Sequence, residues 1–150
     1  MRKNILTLSI LFSFLLGSTA FAASGLWMTD FEAAQKKAAA ENKAMLVDFT
    51  GSDWCGWCIK LDDEVFSEEA FQDYAAESLV LVEIDFPRSK PQTDELKAQN
   101  KALAEKFGIQ GFPTILIFTP NGDLIEKTGY RRGGADAYVD HLKEIVASAG

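Results

Sequence analysis

The sequence predicts one α/β domain, with helices on both faces of a central mixed β-sheet. Helical patterns alternate with short apolar runs typical of buried strands, and strands joined through helices favour parallel pairing. The last two strand patterns are separated by a tight turn, which predicts an antiparallel edge. The chain has 150 residues, of which 47% are hydrophobic and 25% are charged. This length and composition fit a single globular domain and exclude collagen-like or low-complexity chains.

The first 22 residues have the layout of a secretory signal peptide. Arg2 and Lys3 precede an apolar run over residues 5–16, and Ala20-Phe21-Ala22 supplies an A-x-A cleavage pattern. The run is shorter than the roughly 20 apolar residues that span a bilayer. We therefore expect cleavage after this triplet, a domain of residues 23–150 without a membrane anchor, and a periplasmic or secreted location.

A capping-box pattern marks the start of the first predicted helix. Thr29 is expected to cap the helix, with Glu32 reaching back to the amide of Thr29, and the Ala- and Lys-rich stretch continues to residue 41. Asn42 and Lys43 end this pattern. The mostly apolar run over residues 44–49 then predicts a buried strand.

The rest of the domain alternates in the same way. Residues 55–74 form a helical pattern interrupted near Ser67, a candidate cap for a second segment. Thr93 is expected to cap a helix whose Leu96, Leu103 and Phe107 share one face. The other predicted elements are a strand over 79–86, two strands over 114–118 and 124–128 that flank a turn at 120–123, and a final helix after Gly133-Gly134 with Val139, Leu142 and Ile145 facing inward.

The chemistry-bearing motif lies where the first strand meets the next helix. Asp53-Trp54-Cys55-Gly56-Trp57-Cys58 follows the strand and opens the helix, so the two cysteines lie close enough to bridge. Orphan amides and the positive dipole end of the helix favour a thiolate at Cys55. The pattern predicts thiol-disulfide exchange, in which an exposed Cys55 attacks a substrate disulfide and a more shielded Cys58 resolves the mixed disulfide. A purely structural disulfide is the weaker interpretation, because so short a loop contributes about 2 kcal/mol.

The charge balance and the few soft ligands exclude several function classes. The formal net charge is −7, from 15 Lys and Arg against 22 Asp and Glu. The chain therefore lacks the basic surface that binds a nucleic-acid backbone. One histidine and two cysteines are too few for a dedicated all-protein zinc site. We expect no nucleic-acid partner, no metal and no cofactor.

These motifs resemble the thioredoxin family. The matching residues are Leu46-Val47-Asp48-Phe49, Trp54-Cys55-Gly56-Trp57-Cys58, Phe107 to Thr114, and the hairpin from Ile115 to Thr128 with Gly129. The resemblance extends from about Trp27 to the C-terminus, and is strongest to secreted or periplasmic thioredoxin-like proteins that carry W-C-G-W-C. It implies a thioredoxin fold and a thiol-disulfide oxidoreductase that acts on protein disulfides outside the cytosol.

The resemblance also implies roles for individual residues. Cys55 matches the nucleophile and Cys58 the resolving cysteine, while Asp48 matches a buried acid that assists proton transfer at the inner cysteine. Pro113 matches a proline whose preceding peptide bond is cis and faces the disulfide, which leaves the backbone of Phe112 free to pair with an extended substrate. The residues expected to contact or shield substrate are Trp54, Gly56, Trp57, Phe112 and Pro113.

Three departures from the family pattern affect these expectations. Asp48 lies seven residues before Cys55, one more than in thioredoxin, so the loop over 51–53 must absorb the extra residue. Glu83 stands where thioredoxin has a lysine that pairs with the buried acid; it either raises a carboxyl pKa or points to solvent. The stretch over 87–100 is longer than its counterpart, and forms either a substrate-facing rim or a surface insertion.

The charges around the motif favour a reductase over a strong oxidant. Gly56 and Trp57, between the cysteines, supply no positive charge, and the nearby acids Asp53, Asp62 and Asp63 oppose a thiolate. A less stabilised thiolate corresponds to a less oxidising disulfide. The motif itself is compatible with a reductase, an isomerase or an oxidase. A reductase in an oxidising compartment needs electrons, which implies a membrane thiol reductase as partner, and we expect the protein itself to be a monomer.

A copper-binding function is the alternative. Cys55 and Cys58 could bind a soft ion such as Cu(I) through their thiolates, as in a thioredoxin-fold metallochaperone. Copper-binding relatives of this fold add a histidine near the final hairpin, whereas His141 falls later, on the last helix, and is expected to be solvated. Exchange chemistry is therefore the preferred prediction.

Overall fold

A five-stranded mixed sheet forms the centre of the structure, a computed structural model that describes residues 25–150. The predicted signal peptide, residues 1–22, lies outside the described residues. The strands in chain order are Trp27–Met28 (β1), Ala44–Thr50 (β2), Leu79–Asp85 (β3), Thr114–Phe118 (β4) and Leu124–Thr128 (β5). Their order across the sheet is β1-β3-β2-β4-β5. Strand β1 was not predicted, since two residues are too few to show a periodicity.

The helices of residues 25–150 confirm the predicted alternation with strands. They are Phe31–Glu41 (α1), Gly56–Leu61 (α2), Glu69–Ser78 (α3), Asp94–Lys106 (α4) and Gly134–Ala147 (α5). A π-helical segment, Asp62–Phe66, continues α2 without a break. No helix in this part of the chain is both long enough and apolar enough to cross a membrane.

The predicted capping box at the first helix is wrong by one residue. Asp30, not Thr29, caps α1, and its carboxylate accepts a 2.9 Å hydrogen bond from the amide of Ala33. Glu32 instead pairs with Lys36 at 2.7 Å. Thr29 and Asp30 are both good capping residues, so the sequence allows the helix to begin after either one. The negative charge of Asp30 also interacts favourably with the positive end of the helix dipole. The predicted end is confirmed, because Asn42 adopts φ 52°.

Of the two other predicted helix caps, one is confirmed and one is wrong. Thr93 caps α4 as predicted, with its hydroxyl accepting from the amide of Leu96 at 3.2 Å. The helical stretch after Cys55 is interrupted where predicted, but Ser67 ends the π-helical segment and does not cap the next helix. Glu68 occupies the cap position of α3 without a side-chain bond.

The direction of β4 corrects the predicted topology. Strands β2 and β3 are parallel as expected, but β4 runs antiparallel to β2 although it follows a helix. Thr114, the first residue of β4, pairs with Phe49 near the end of β2. The loop over 107–113 thus returns the chain to the end of the sheet where β2 finishes, and only a reversed strand fits from there. The β4–β5 pairing is antiparallel, as predicted.

Alternate residues of β2 face two separate hydrophobic cores. Met45, Val47 and Phe49 pack in the core beneath α1 and α4, whereas Leu46 packs in the core beneath α2, the π-helical segment, α3 and α5. Helices on both faces of the sheet are thereby confirmed. Asp48 lies on the same face as Leu46, because side chains alternate along a strand. This places its carboxyl under the helix that the cysteine motif opens.

Candidate active site

Cys55 and Cys58 form a disulfide at the start of α2, with their Cα atoms 5.2 Å apart. Cys55 is the N-cap of the helix, and the amide of Cys58 donates to its sulfur at 3.2 Å. The expected difference in exposure is wrong for this disulfide form, since Cys55 is 7% exposed and Cys58 is 5% exposed. The two cysteines differ instead in what surrounds them, which depends on distant parts of the chain.

Cys55 borders an open groove on the surface. The groove, of about 360 Å³, is lined by Trp54, Cys55 and the segment over 109–112. The ring of Trp54 meets Phe112 edge-on, with centroids 6.0 Å apart. The Phe112-Pro113 peptide bond is cis, as predicted. The structure therefore brings Trp54 and Phe112 to Cys55, with Pro113 next in the chain.

Trp57, the second residue of α2, contacts a different set of side chains. Its side chain is exposed and packs against Tyr130, with ring centroids 5.2 Å apart. The ammonium of Lys60 lies over both rings, and pairs with Glu64 at 3.4 Å. The hydroxyl of Tyr130 donates to Glu64 at 2.6 Å. Tyr130 and Glu64 carried no local signal in the sequence, because the contact joins residues 66 apart.

Cys58 faces a second space, an acidic cavity of about 480 Å³. Its lining residues with charged or ionisable side chains, besides Cys58 itself, are Asp48, Asp62, Glu83 and Lys90. Asp48 and Cys58 border the same space, so the longer loop does not separate them. Asp62 was not predicted to belong here, and it reaches the cavity from the π-helical segment.

Asp48 is held in an environment that disfavours its charge. It is 7% exposed, and its Oδ1 has no hydrogen-bond partner among residues 25–150. Burial raises the pKa of Asp48 well above its ordinary value, and the charges of Glu83, Asp62 and Asp85 raise it further. An unpartnered buried carboxyl is costly in free energy unless water or a proton satisfies it.

Glu83 lies directly beside Asp48 and is not fully exposed to solvent. It therefore occupies the first of its two predicted placements, in which it raises the pKa of a neighbouring carboxyl. The two residues are Cα partners in the parallel β2–β3 pairing. Glu83 is half-buried, and burial followed by the charge of Asp85 raises its pKa. Burial also raises the pKa of Asp62, with the charge of Asp63 adding to the effect. The cavity therefore gathers carboxyls that hold protons more readily than usual.

The loop before the cysteines absorbs its extra residue in a tight turn. The amide of Cys55 donates to the carbonyl of Gly51 at 2.8 Å. Ser52 is fixed at the end of β3, since its amide and its hydroxyl donate to the carboxylate of Asp85 at 2.9 and 2.5 Å. Of the stretch over 87–100, the second half is helix α4, while the first half packs on this loop.

Gly51 leaves room for the Trp54 ring, which yields a testable prediction. A Cβ at position 51 would lie 2.5 Å from Cε2 of Trp54. We expect Gly51→Ala to displace the indole and to lower the free energy of unfolding by about 1–3 kcal/mol. Gly56→Ala is the matched control, because a Cβ there meets nothing within 4 Å. Urea unfolding measures both, and equal midpoints for Gly51→Ala and the parent would contradict the packing.

His141 differs from its predicted placement. It is half-buried on α5, and its Nε2 lies 3.0 Å from the hydroxyl of Thr128. Burial and the charge of Arg131 lower its pKa. It contacts neither the groove nor the acidic cavity.

Comparisons with known proteins agree with the fold and the cysteine pair. A family model described as a thioredoxin-like domain matches residues 31–143. The chain belongs to this family, and is a thiol-disulfide oxidoreductase with a thioredoxin fold.

Within the family, the chain is similar to proteins of disulfide metabolism. It is 33% identical over 125 residues to the disulfide bond reductase DsbH of Chlamydia pneumoniae, which covers 83% of this chain and 75% of DsbH. A solved DsbH oxidoreductase structure superposes with a TM-score of 0.76 at 31% identity, over 81% of this chain and 83% of that one. The thiol:disulfide interchange protein DsbD of Actinobacillus pleuropneumoniae is 32% identical over 117 residues, which is 76% of this chain but 18% of DsbD.

Proposed function

We propose that this enzyme reduces protein disulfides outside the cytosol, with Cys55 as nucleophile and Cys58 as resolving cysteine. The observation that carries the proposal is the position of the disulfide between two different spaces. Cys55 borders an open groove lined by the exposed Trp54 and the half-buried Phe112, and Cys58 borders the acidic cavity. A substrate segment in the groove meets Cys55 first, while proton transfer takes place on the other side.

The reaction takes two exchange steps. The thiolate of reduced Cys55 attacks one sulfur of the substrate disulfide, forms a mixed disulfide and releases one substrate thiolate, which takes up a proton. Cys58 then loses its proton and attacks the sulfur of Cys55, which releases the second substrate thiolate. Two electrons pass from the enzyme to the substrate, and the Cys55–Cys58 disulfide forms. The amide of Cys58 that points at Cys55 stabilises its thiolate before the first step.

Asp48 is the proposed acceptor of the Cys58 proton. Both groups line the same cavity, and the raised pKa of Asp48 lets its carboxyl hold a proton closer to neutral pH. The charge of the adjacent Glu83 carboxyl also raises the pKa of Asp48. The residues proposed to contact substrate are Trp54, Gly56, Trp57, Phe112 and Pro113.

The reductase direction follows from the charges around the disulfide. Lys60, the cation nearest to the motif along the helix, is paired with Glu64, and the cavity beside Cys58 is lined mainly by acids. Negative surroundings disfavour a thiolate, which makes the dithiol a better electron donor. The relative DsbH carries the name disulfide bond reductase, which supports the same direction.

The proposed setting is the periplasm or the extracellular space, with electrons from a membrane thiol reductase. The signal-peptide pattern over residues 1–22 supports export. The similarity to part of DsbD, a thiol:disulfide interchange protein, supports a partner that also exchanges thiols and disulfides. Expression of the full chain in a bacterium, followed by fractionation and N-terminal sequencing, tests the export. A mature N-terminus at Ala23 is expected, and an uncleaved protein in the cytosol would contradict it.

Insulin reduction tests the activity. With a dithiol as electron source, the parent protein is expected to precipitate insulin chains at a rate that Cys55→Ser reduces to background. Titration of the reduced thiols with DTNB, with and without Cu(I), addresses the copper-binding alternative. No group of three or more His, Cys, Asp or Glu side chains within residues 25–150 is placed to hold a metal ion. Inactivity on insulin together with stoichiometric protection of both thiols by Cu(I) would overturn the reductase proposal.

A further inference from the structure

Asp53, two residues before the first cysteine, holds a distant segment of backbone. Its carboxylate accepts hydrogen bonds from the amides of Arg88, Ser89 and Lys90 at 2.9, 2.6 and 3.1 Å. These three consecutive N–H groups form a cradle of the kind that binds anions. The bonds lower the pKa of Asp53, with that from Arg88 contributing most, so the cradle holds a charged carboxylate at neutral pH.

The segment held by this carboxylate contacts Trp54 in two places. The carbonyl of Phe86 accepts from the indole N–H of Trp54 at 2.8 Å. The guanidinium of Arg88 lies 3.9 Å from the centroid of the Trp54 ring, over its face. The indole is therefore fixed at its edge and on its face by residues 86–88.

The same segment also supports Phe112. The ring of Phe86 stacks on that of Phe112, with centroids 5.1 Å apart, and Phe112 meets Trp54 edge-on. Trp54, Phe86 and Phe112 together form an aromatic wall, of which Trp54 and Phe112 line the groove beside Cys55. None of the bonds from Asp53 reaches a sulfur atom.

We infer that Asp53 is a positioning residue for substrate: its carboxylate holds residues 88–90, and through them sets the aromatic wall that receives a polypeptide beside Cys55. This inference rests on the proposed function and adds a determinant of polypeptide affinity to it. Loss of the carboxylate loosens the wall and weakens binding of protein disulfides. The cysteine pair keeps its own hydrogen bond from the amide of Cys58, so its chemistry should change only through the loss of one nearby negative charge, as it would for Asp63.

The test compares Asp53→Asn with Asp63→Asn. Asn keeps the size of the side chain but loses the charge and turns an amide group toward the N–H donors. Asp63 is an exposed acid close to the same helix that makes no bond to residues 88–90, so its variant controls for net charge. For Asp53→Asn we expect KM for a protein disulfide to rise about tenfold, from the loss of charge-assisted hydrogen bonds. Each variant removes one of the acids near the motif, so we expect kcat, the rate with DTNB and the equilibrium constant with glutathione to agree within about twofold between Asp53→Asn and Asp63→Asn.

A second measurement reports on the order of the aromatic wall itself. The indole N–H of Trp54 is bonded to the carbonyl of Phe86, so NMR hydrogen exchange at this group is expected to accelerate in Asp53→Asn and in Arg88→Ala but not in Asp63→Asn. Unchanged indole exchange, or equal KM values for Asp53→Asn and Asp63→Asn, overturns the role of Asp53 alone if the parent reduces protein disulfides. Failure of the parent to reduce any protein disulfide overturns the proposed function together with this inference.

Discussion

Cys55→Ser is expected to abolish disulfide exchange, whereas Cys58→Ser is expected to accumulate mixed disulfides with substrate proteins. Removal of the attacking sulfur leaves no covalent route, so activity should fall by about 10³-fold or more. Removal of Cys58 leaves the first attack intact but takes away the group that releases the substrate. The expectation rests on Cys55 at the helix N-cap, beside the groove, and on Cys58 beside the acidic cavity.

Trapping experiments measure this difference. Each variant is expressed in the compartment where the protein acts, free thiols are blocked, and adducts are separated without reductant and identified by mass spectrometry. Adducts that disappear with reductant are expected for Cys58→Ser, with the double variant Cys55→Ser/Cys58→Ser as the control. Adducts on Cys55→Ser but not on Cys58→Ser would reverse the assigned roles.

Asp48→Asn is expected to slow the resolving step while making the fold more stable. The substitution keeps the shape of the side chain but removes the proposed proton acceptor, so resolution should slow by up to about 10²-fold at neutral pH. The first attack, at Cys55, should change little. Stopped-flow fluorescence of the two phases separates these effects, and equal rates for both phases in the variant and the parent would remove Asp48 from the mechanism.

The stability effect has a definite dependence on pH. Because the pKa of Asp48 is raised above its ordinary value of 3.8 in the folded protein, the folded state binds more protons than the unfolded state between the two pKa values. The contribution of Asp48 to stability is therefore greatest below pH 3.8 and is lost as the pH rises through the folded pKa. Asp48→Asn removes this decline, and should raise the free energy of unfolding at neutral pH by about 1–3 kcal/mol.

Urea unfolding at several pH values, with the oxidised proteins, tests this. Asp73→Asn is the matched control, since Asp73 is exposed on α3. We expect the difference between Asp48→Asn and the parent to grow with pH, and the difference for Asp73→Asn to stay near zero. A difference for Asp48→Asn that is constant or shrinks with pH would contradict the raised pKa.

Local patterns were sufficient for most of the elements. Apolar runs predicted β2, β3 and β4, the turn at 120–123 predicted β5 as the partner of β4, and Thr93 marked the start of α4. Each of these signals lies within a few neighbouring residues of the chain. The capping residue of α1 was misplaced because Thr29 and Asp30 are both good caps and only the folded geometry selects one. The reversal of β4 depends on where the loop over 107–113 returns the chain, which no periodicity encodes.

In the site, too, features set by neighbouring residues were predicted, whereas contacts between residues distant in the chain were not. The C-x-x-C spacing and its position after a strand predicted the disulfide, but the groove beside Cys55 is lined by residues 109–112, more than 50 positions along the chain. The cradle for Asp53 and the bond between Tyr130 and Glu64 join residues more than 30 positions apart. Contacts of this kind emerge only when the sheet brings its loops to one edge.

The reduction potential of the Cys55–Cys58 pair tests the central claim, that this disulfide serves a reductase, most directly. The protein is equilibrated in buffers of reduced and oxidised glutathione, and the oxidised fraction is measured by alkylation and mass spectrometry. The acids around the motif and the lack of a cation at Gly56 and Trp57 predict a value nearer to about −270 mV, as in thioredoxin, than to about −120 mV, as in a strong oxidant. A value above about −150 mV would contradict the reductase proposal.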